Sequence, residues 1–264
     1  MKIATWNINS VRLRIALVCR FLKEEAPDVL CLQETKVINE LFPAEPLAKL
    51  GYVHQAINGQ KGYHGVAILS RVAFKKSAAQ TFCGKQDSRH MSVLLENGVE
   101  LHNFYVPAGG DIPDPKANEK FAHKLDFLRE MRTLFEKRRR DRNKPLILVG
   151  DLNVAPLEHD VWSHKQLLNV VSHTPVETAL LNEVKESFDW TDVTRWFVPA
   201  SEKIYSWWSY RAQDWETSDR GRRLDHIWTS PDLKGAAKKH AIRKDIRSWP
   251  QPSDHVPVVV ELQV

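Results

Sequence analysis

Several short apolar runs in this chain end abruptly at a carboxylate or amide side chain. The clearest case is 146–149, Leu-Ile-Leu-Val, which leads directly into Gly150, Asp151, Leu152 and Asn153. An apolar run of this length that stops at glycine is typical of a buried strand ending in a turn. Side chains two residues apart on an extended chain point to one side, so Asp151 and Asn153 can face a common point. The block is also compatible with a polar turn that only ends a strand.

The same arrangement recurs along the whole chain. Polar side chains lie at or near the ends of five further strand-like runs. These are Asn7, Gln33–Lys36, Asn103 with Tyr105, Asp225–His226 and Ser253–His255. One polar strand end is common, but the repetition indicates a single site built from many strand ends. Because that site would draw on both ends of the chain, we predict one mixed α+β domain over 1–264, with stacked sheets and outer helices.

The composition is that of a soluble globular protein. A length of 264 residues suits one large domain or two small ones. Apolar residues make up 42% of the chain, enough for a sizeable core, and charged residues of both signs make up 27%. The formal net charge of +5 allows an anionic partner such as nucleic acid, without proving one.

The cysteines and the N-terminal residues indicate the cellular compartment of the protein. Cys19, Cys31 and Cys83 are odd in number and lack metal-ligand spacing, which favours core thiols in a reducing compartment. The first residues enter a strand-like run at once, so we expect no signal peptide. Because no apolar run approaches the roughly 20 residues that span a bilayer, we predict a cytoplasmic protein without membrane segments.

Apolar periodicity places two long helices. Apolar residues at helical spacing predict a helix over Ser10–Glu25 and a second over Glu119–Arg140. The stretch 158–187 is helical or irregular and cannot be divided further, and 202–208 is predicted to be a strand.

Seven blocks, in order, resemble the exonuclease III family of abasic-site DNA endonucleases, part of the endonuclease/exonuclease/phosphatase superfamily. They are TWNIN at 5–9, LQETK at 32–36, NFYVP at 103–107, GDLN at 150–153, WWSY at 207–210, GRRLD at 221–225 and SDH at 253–255. The resemblance covers nearly the full chain. It implies a four-layer α/β/β/α sandwich like that of deoxyribonuclease I, with two mixed sheets face to face between helices. It also implies a magnesium-dependent phosphodiesterase.

The candidate metal ligands carry hard oxygen atoms. Glu34 and Asn7 offer such oxygens, and Mg²⁺ favours few protein ligands together with waters and a substrate phosphate. The family pattern adds Asp254, and we also include Asp151 and Asn153 as candidate ligands. The expected metal is Mg²⁺, with Mn²⁺ as an alternative. It would polarise a phosphoryl oxygen and stabilise the leaving 3′ oxygen.

The resemblance also implies catalytic roles. Asp151 would orient or deprotonate the attacking water. Asn153 would stabilise the non-bridging oxygens, and Tyr105 would donate to the phosphate or position the nucleophile. Asp225 would hold His255 as an imidazolium against the scissile phosphate, because a neighbouring carboxylate favours the charged ring.

DNA contacts are expected from side chains on the loops. By resemblance these are Arg12 and Lys36 on backbone phosphates, Tyr63 in the loop Gly62–Gly65, and Trp207 with Leu224 as walls of a pocket for a flipped-out abasic sugar. A sugar without a base is small and costs little to extrude, so an apolar pocket suits it. Of the neighbours Trp207 and Trp208, we expect one in the core and one in the pocket.

Three positions depart from the commonest family pattern. Ser10 replaces a usual glycine, Ala108 replaces a usual polar residue, and Arg222 replaces a large apolar residue of the pocket. A guanidinium cannot be buried unpaired without a large cost. Arg222 is therefore expected to turn outward to a phosphate and act as a DNA contact, or to pair with an acid such as Asp219.

The predicted function is DNA-repair hydrolysis. The enzyme would cut the backbone 5′ to an abasic site, leave a 3′-hydroxyl, and add 3′-to-5′ exonuclease and 3′-end-trimming activity. Its partner would be double-stranded DNA with abasic sites or blocked 3′ ends, and it would act as a monomer. The alternatives are a superfamily phosphodiesterase acting on RNA or a small phosphate ester, and a DNA-binding protein with an inactive site.

Overall fold

The computed structural model describes residues 1–140 and 144–264, except for the side chain of Arg140. The helices are α1 (Ile15–Glu25), α2 (Ala44–Ala48), α3 (Glu119–Arg140), α4 (His164–Leu167), α5 (Pro175–Ser187), α6 (Val193–Phe197) and α7 (Trp215–Ser218). The strands are β1 (Lys2–Asn7), β2 (Val29–Gln33), β3 (His54–Asn58), β4 (Val66–Ser70), β5 (Phe74–Ala78), β6 (His90–Leu95), β7 (Glu100–Tyr105), β8 (Leu146–Asp151), β9 (Thr191–Asp192), β10 (Asp225–Thr229), β11 (Ala237–Ile242) and β12 (Val258–Leu262). Short 3₁₀ turns cover 39–41, 158–160, 231–233 and 244–248.

The strands form two mixed six-stranded sheets. The first has the order β11-β12-β1-β2-β4-β3 and the second β5-β6-β7-β8-β10-β9. Each sheet has a parallel pair near its centre, β1 with β2 and β7 with β8, and the other pairs are antiparallel.

Alternation along the strands explains the layers. On β1, Ile3 packs into the core between the two sheets, while Ala4 and Trp6 pack outward with Phe21 of α1. The second sheet packs outward against α3 and α5 through a further apolar cluster that includes Phe135. The predicted four-layer α/β/β/α sandwich is confirmed.

The central parallel pairs bring the site together. The carboxyl ends of parallel strands meet at one edge of a sheet. Asn7 lies opposite Gln33 at the ends of β1 and β2, and Tyr105 lies opposite Asp151 at the ends of β7 and β8. Because β10 runs antiparallel to β8, its first residue, Asp225, also lies opposite Asp151.

Three details differ from the sequence predictions. Helix α1 begins at Ile15 rather than Ser10, because Asn9 and Ser10 have left-handed backbone with φ of 47° and 83°. The stretch 202–208 is irregular, with isolated β-bridges at Trp207 instead of a strand. Strand β5 was not predicted, because it is an edge strand with exposed lysines and almost no apolar alternation.

Candidate active site

Asp151 is the centre of the site and is almost fully buried. Its Oδ1 accepts the backbone N–H of Asn153 at 2.9 Å, and its Oδ2 accepts the amides of Asn7 and Asn153 at 2.9 and 3.1 Å. The turn that delivers it needs Gly150, because a Cβ there would lie 1.9 Å from the carbonyl oxygen of Phe104. Close packing of β7 on β8 therefore fixes this carboxylate.

Asn7 connects two carboxylates from different sheets. Its Nδ2 donates to Glu34 Oε2 at 3.0 Å as well as to Asp151, and its Oδ1 accepts the backbone N–H of Asn9 at 3.0 Å. A carbonyl oxygen has a second lone pair, so Asn7 can still serve as a metal ligand. Its contacts in the structure are those of a residue that positions Glu34 and Asp151.

Tyr105 lies against the same carboxylates. Burial raises the pKa of its phenol well above the usual value, and the charges of Glu34 and Asp151 add to this effect. Tyr105 therefore remains a neutral hydroxyl that can donate a proton in a hydrogen bond.

Asp225 and His255 form a buried pair on the other side of Asp151. His255 Nδ1 lies 2.8 Å from Asp225 Oδ2, and the same oxygen accepts the hydroxyl of Ser206 at 2.7 Å. His255 Nε2 lies 3.7 Å from Asp151 Oδ2, which is too far for a direct hydrogen bond. The imidazole and the Asp151 carboxylate therefore face each other across the site.

The charges of this group follow from its surroundings. Burial lowers the pKa of His255, but the carboxylates of Asp225 and Asp151 outweigh burial and raise this pKa to about 10. Burial raises the pKa of Asp151 to about 7, against the lowering effect of His255. These shifts favour the imidazolium form of His255 at neutral pH and leave Asp151 suited to exchange a proton with water.

Asp254 is held by two neighbours. Its Oδ1 accepts from Asn9 Nδ2 at 3.0 Å, and its Oδ2 accepts from Trp207 Nε1 at 2.9 Å. Asn9 Oδ1 in turn accepts from Lys36, whose ammonium also pairs with Glu34 at 2.8 Å. Lys36, predicted as a DNA contact, is thus tied to the acidic side of the site, and Asn9 was not predicted.

A buried ion pair below the site was also missed. Lys124 and Glu177 are fully buried and form an ion pair, and Lys124 Nζ donates to the carbonyl oxygens of Asn153 at 2.7 Å and Ala108 at 3.2 Å. Glu177 accepts the backbone N–H of Ser172 at 2.9 Å. The pair therefore joins three loops of the cleft. The Thr-Pro-Val-Glu capping box at 174–177 predicts the start of α5, but no local signal connects it to Lys124.

The two neighbouring tryptophans separate as expected. Trp208 is buried in an apolar cluster, with its Nε1 donating to Asp219 at 2.9 Å, while Trp207 lines the cleft together with Leu224 and His255. The cleft has a volume of about 870 Å³.

Arg222 forms no ion pair with an acid within the described residues, and its role as a DNA contact stays a prediction. Its Nη1 donates inward, to the carbonyl of Val171 at 2.9 Å and to the hydroxyl of Ser172 at 2.7 Å. Its guanidinium carbon lies 5.2 Å from the ring centroid of Trp207. Neutral hydrogen-bond acceptors and the ring of Trp207 therefore surround the guanidinium in the wall of the cleft. Asp219 is not its partner.

The two remaining DNA-contact candidates lie on the surface. Arg12 is exposed between β1 and α1, and Tyr63 is 70% exposed in the loop before β4. Neither belongs to the buried group around Asp151, and their contact with DNA stays a prediction.

Comparison with known proteins places this geometry in one family. Residues 4–255 match the family described as Endonuclease/Exonuclease/phosphatase. The chain is 30% identical to exodeoxyribonuclease III of Haemophilus influenzae, with both chains covered completely. Its fold matches an AP endonuclease of Archaeoglobus fulgidus at 32% identity and a 3′-5′ exonuclease of Neisseria meningitidis at 30%, with TM-scores of 0.91 and 0.90 and full coverage of each chain.

The chain therefore belongs to the endonuclease/exonuclease/phosphatase family. Within that family it is a DNA-repair nuclease of the exonuclease III and AP endonuclease group, as the sequence resemblance implied. Within the described ranges, no helix is both long and apolar enough to cross a membrane.

Proposed function

We propose that this enzyme uses Mg²⁺ to hydrolyse the DNA backbone on the 5′ side of abasic sites, leaving a 3′-hydroxyl. It also removes nucleotides and blocking groups from 3′ ends. The main supporting observation is the convergence of Asp151, Asn7 and the Asp225–His255 pair in a cleft bordered by Trp207. Proteins of similar sequence and fold are named exodeoxyribonuclease III, AP endonuclease and 3′-5′ exonuclease.

The donor set fits a hard divalent cation. The carboxylates of Glu34 and Asp151 share one amide, that of Asn7, so two negative charges lie close together. Their oxygens, with Asp254 nearby as a further carboxylate, are the ligand type that Mg²⁺ and Mn²⁺ prefer. When bound, the metal supplies charge stabilisation at a phosphoryl oxygen.

The protein's own residues supply the other functions. Asp151, with its raised pKa, takes a proton from the attacking water. The His255 imidazolium, held by Asp225, stabilises the negative charge on the scissile phosphate. The neutral Tyr105 hydroxyl donates a hydrogen bond to a phosphate oxygen. Asn153 Nδ2, which donates to Val106 and Asp151 without substrate, exchanges one of these bonds for a phosphate oxygen. We further propose that the enzyme acts as a monomer in the cytoplasm.

A single substrate tests the proposal. A duplex with one abasic site should be cut once, 5′ to the site, in Mg²⁺ and not in EDTA. The Glu34→Gln variant should need about 10- to 100-fold more Mg²⁺ to reach half of its maximal rate. Residues that only hold a metal ligand in place already change metal affinity by this much. Glu40→Gln, an exposed carboxylate on a nearby turn, is the matched control. Cutting by the native protein in EDTA would contradict the metal requirement.

A further inference from the structure

The guanidinium of Arg222 has hydrogen-bonding capacity that the protein does not use. Its Nη1 is bound to Val171 and Ser172, whereas its Nε is buried without a hydrogen-bond partner among the described residues. Nη2 makes no hydrogen bond within the described residues and, unlike Nε, is not fully buried, so on this cleft-lining residue it is the donor that a carboxylate or phosphate oxygen can reach.

The charge of Arg222 also lacks a direct partner. Burial lowers its pKa, and the charge of Glu177 raises it. Glu177, however, is already paired with Lys124, and no ion pair is formed by Arg222 within the described parts of the chain. An arginine stays protonated in proteins. A largely buried cation that contacts only neutral groups is costly, so an anion from the substrate would relieve that cost.

The position of Arg222 defines which anion it can reach. Trp207 forms backbone bridges with His255 on one side and with Arg222 on the other. Two such bridges separate the backbones of His255 and Arg222 by about 10 Å. Because His255, Trp207 and Arg222 line one cleft, this spacing is compatible with a phosphate at His255 and, beyond a short linker, a second anionic group at Arg222. That second group belongs to the fragment released with the phosphate.

We propose that Arg222 makes this pocket select released fragments that carry a carboxylate or phosphate beyond the scissile phosphate. This inference rests on the proposed function of the site. Two sources offer such an anion: a short carboxylate fragment blocking a 3′ end, and the next backbone phosphate beyond an internal abasic site. In both, a water oxygen bonds to phosphorus, the bond to the 3′ oxygen breaks, and that oxygen takes a proton.

The binding test uses two duplexes with matched 3′ ends. One end carries phosphoglycolate and the other 2-hydroxyethyl phosphate, which has a similar size but no carboxylate. Binding is measured in the Asp151→Asn background, where turnover does not interfere. We expect the glycolate end to bind about 10- to 100-fold more tightly, the size of one charge-assisted hydrogen-bonded pair.

Variants then assign the preference to Arg222. Arg222→Leu, added to that background, should bring the affinity ratio close to one. Arg222→Gln keeps a donor for Ser172 without the charge, and it should also bring the affinity ratio close to one. It takes the place of Arg222→Leu if the leucine variant folds poorly. Arg220→Leu is the matched control, because Arg220 stacks on Trp162 in the same cleft at 4.9 Å, and it should keep the ratio. Equal binding of both ends, or a ratio unchanged by either Arg222 variant, would overturn the proposal.

Measurements of turnover distinguish the two anion sources from each other and also test the proposed function of the site. If Arg222→Leu lowers kcat/KM for an internal abasic site as much as for the glycolate end, the anion is the backbone phosphate as well. If kcat/KM falls only for the glycolate end, the anion that Arg222 binds is the terminal carboxylate. Failure of the native enzyme to cut any of these substrates with Mg²⁺ would refute the proposed function, while the binding ratio would still decide the role of Arg222.

Discussion

The two sides of the cleft are built in different ways. The sheet-edge side carries Asp151, Asn7, Asp225 and His255, whose side chains are buried and hydrogen-bonded to one another through strands in fixed register. The wall side carries Trp207, Leu224 and Arg222 on irregular segments, and Nη2 of Arg222 is a hydrogen-bond donor that the protein does not use. Buried polar groups are usually satisfied within the protein. The first side meets this rule except at Asp225 Oδ1 and is suited to fixed chemistry, whereas the second side leaves a donor for the substrate.

The largest effect is expected at the centre of the sheet edge. Asp151→Asn removes the proton acceptor but keeps the shape of the site, so it should reduce kcat about 10²- to 10⁴-fold or more. Duplex affinity should change little. Asp114→Asn, on an exposed loop, should keep full activity. A parallel fall of affinity and rate would make Asp151 a binding or folding residue instead.

The Asp225–His255 pair should act as one unit. Because the carboxylate functions through the imidazole, the loss in kcat for Asp225→Asn with His255→Gln should be close to the larger single loss. Kinetics of the two single variants and the double variant give this comparison. A double-variant loss equal to the product of the two single fold-losses would show that the residues act independently.

We expect the Lys124–Glu177 ion pair to affect the stability of the fold and the geometry of the cleft in ways that can be measured separately. Lys124→Met leaves Glu177 charged and buried, and should cost about 3–5 kcal/mol of unfolding free energy. Adding Glu177→Gln should recover part of that stability, as measured by urea unfolding. Activity should not recover with it, because the carbonyls of Asn153 and Ala108 lose their common donor. Recovery of both together would show that the pair only stabilises the fold. Lys120→Met, exposed on the same helix, is the control.

The smallest effect is expected on the open surface. Arg12 is exposed and is not among the residues that line the cleft, so Arg12→Ala should weaken duplex binding slightly and reduce its salt dependence by about one phosphate contact. Binding titrations at several salt concentrations measure this slope. An unchanged slope would remove Arg12 from the DNA interface.

The same contrast explains what the sequence could predict. Asn7, Tyr105 and Asp151 were identifiable because apolar runs reveal strands. A polar residue that ends a buried strand is held at a fixed place on the sheet edge. The partners of Lys124 and Arg222 were not identifiable. Each depends on a contact with the stretch 170–177, about 50 residues away in sequence, in a region where periodicity does not define the elements.

Local backbone conformation set a further limit. Asn9 is brought beside Asp254 and Lys36 by a left-handed turn that also delays the start of α1. Non-glycine residues rarely adopt that conformation, and composition gives little sign of it. The role of Asn9 therefore became visible only with the structure.

The central claim is that the sheet edge performs the chemistry on every substrate, while the wall chooses among substrates. The most direct test measures kcat/KM for 3′ ends blocked by phosphoglycolate and by 2-hydroxyethyl phosphate, with the native enzyme, Asp151→Asn and Arg222→Leu. We expect Asp151→Asn to lower both values by the same factor, whereas Arg222→Leu should change their ratio. A changed ratio in Asp151→Asn, with an equal loss on both substrates in Arg222→Leu, would contradict the claim.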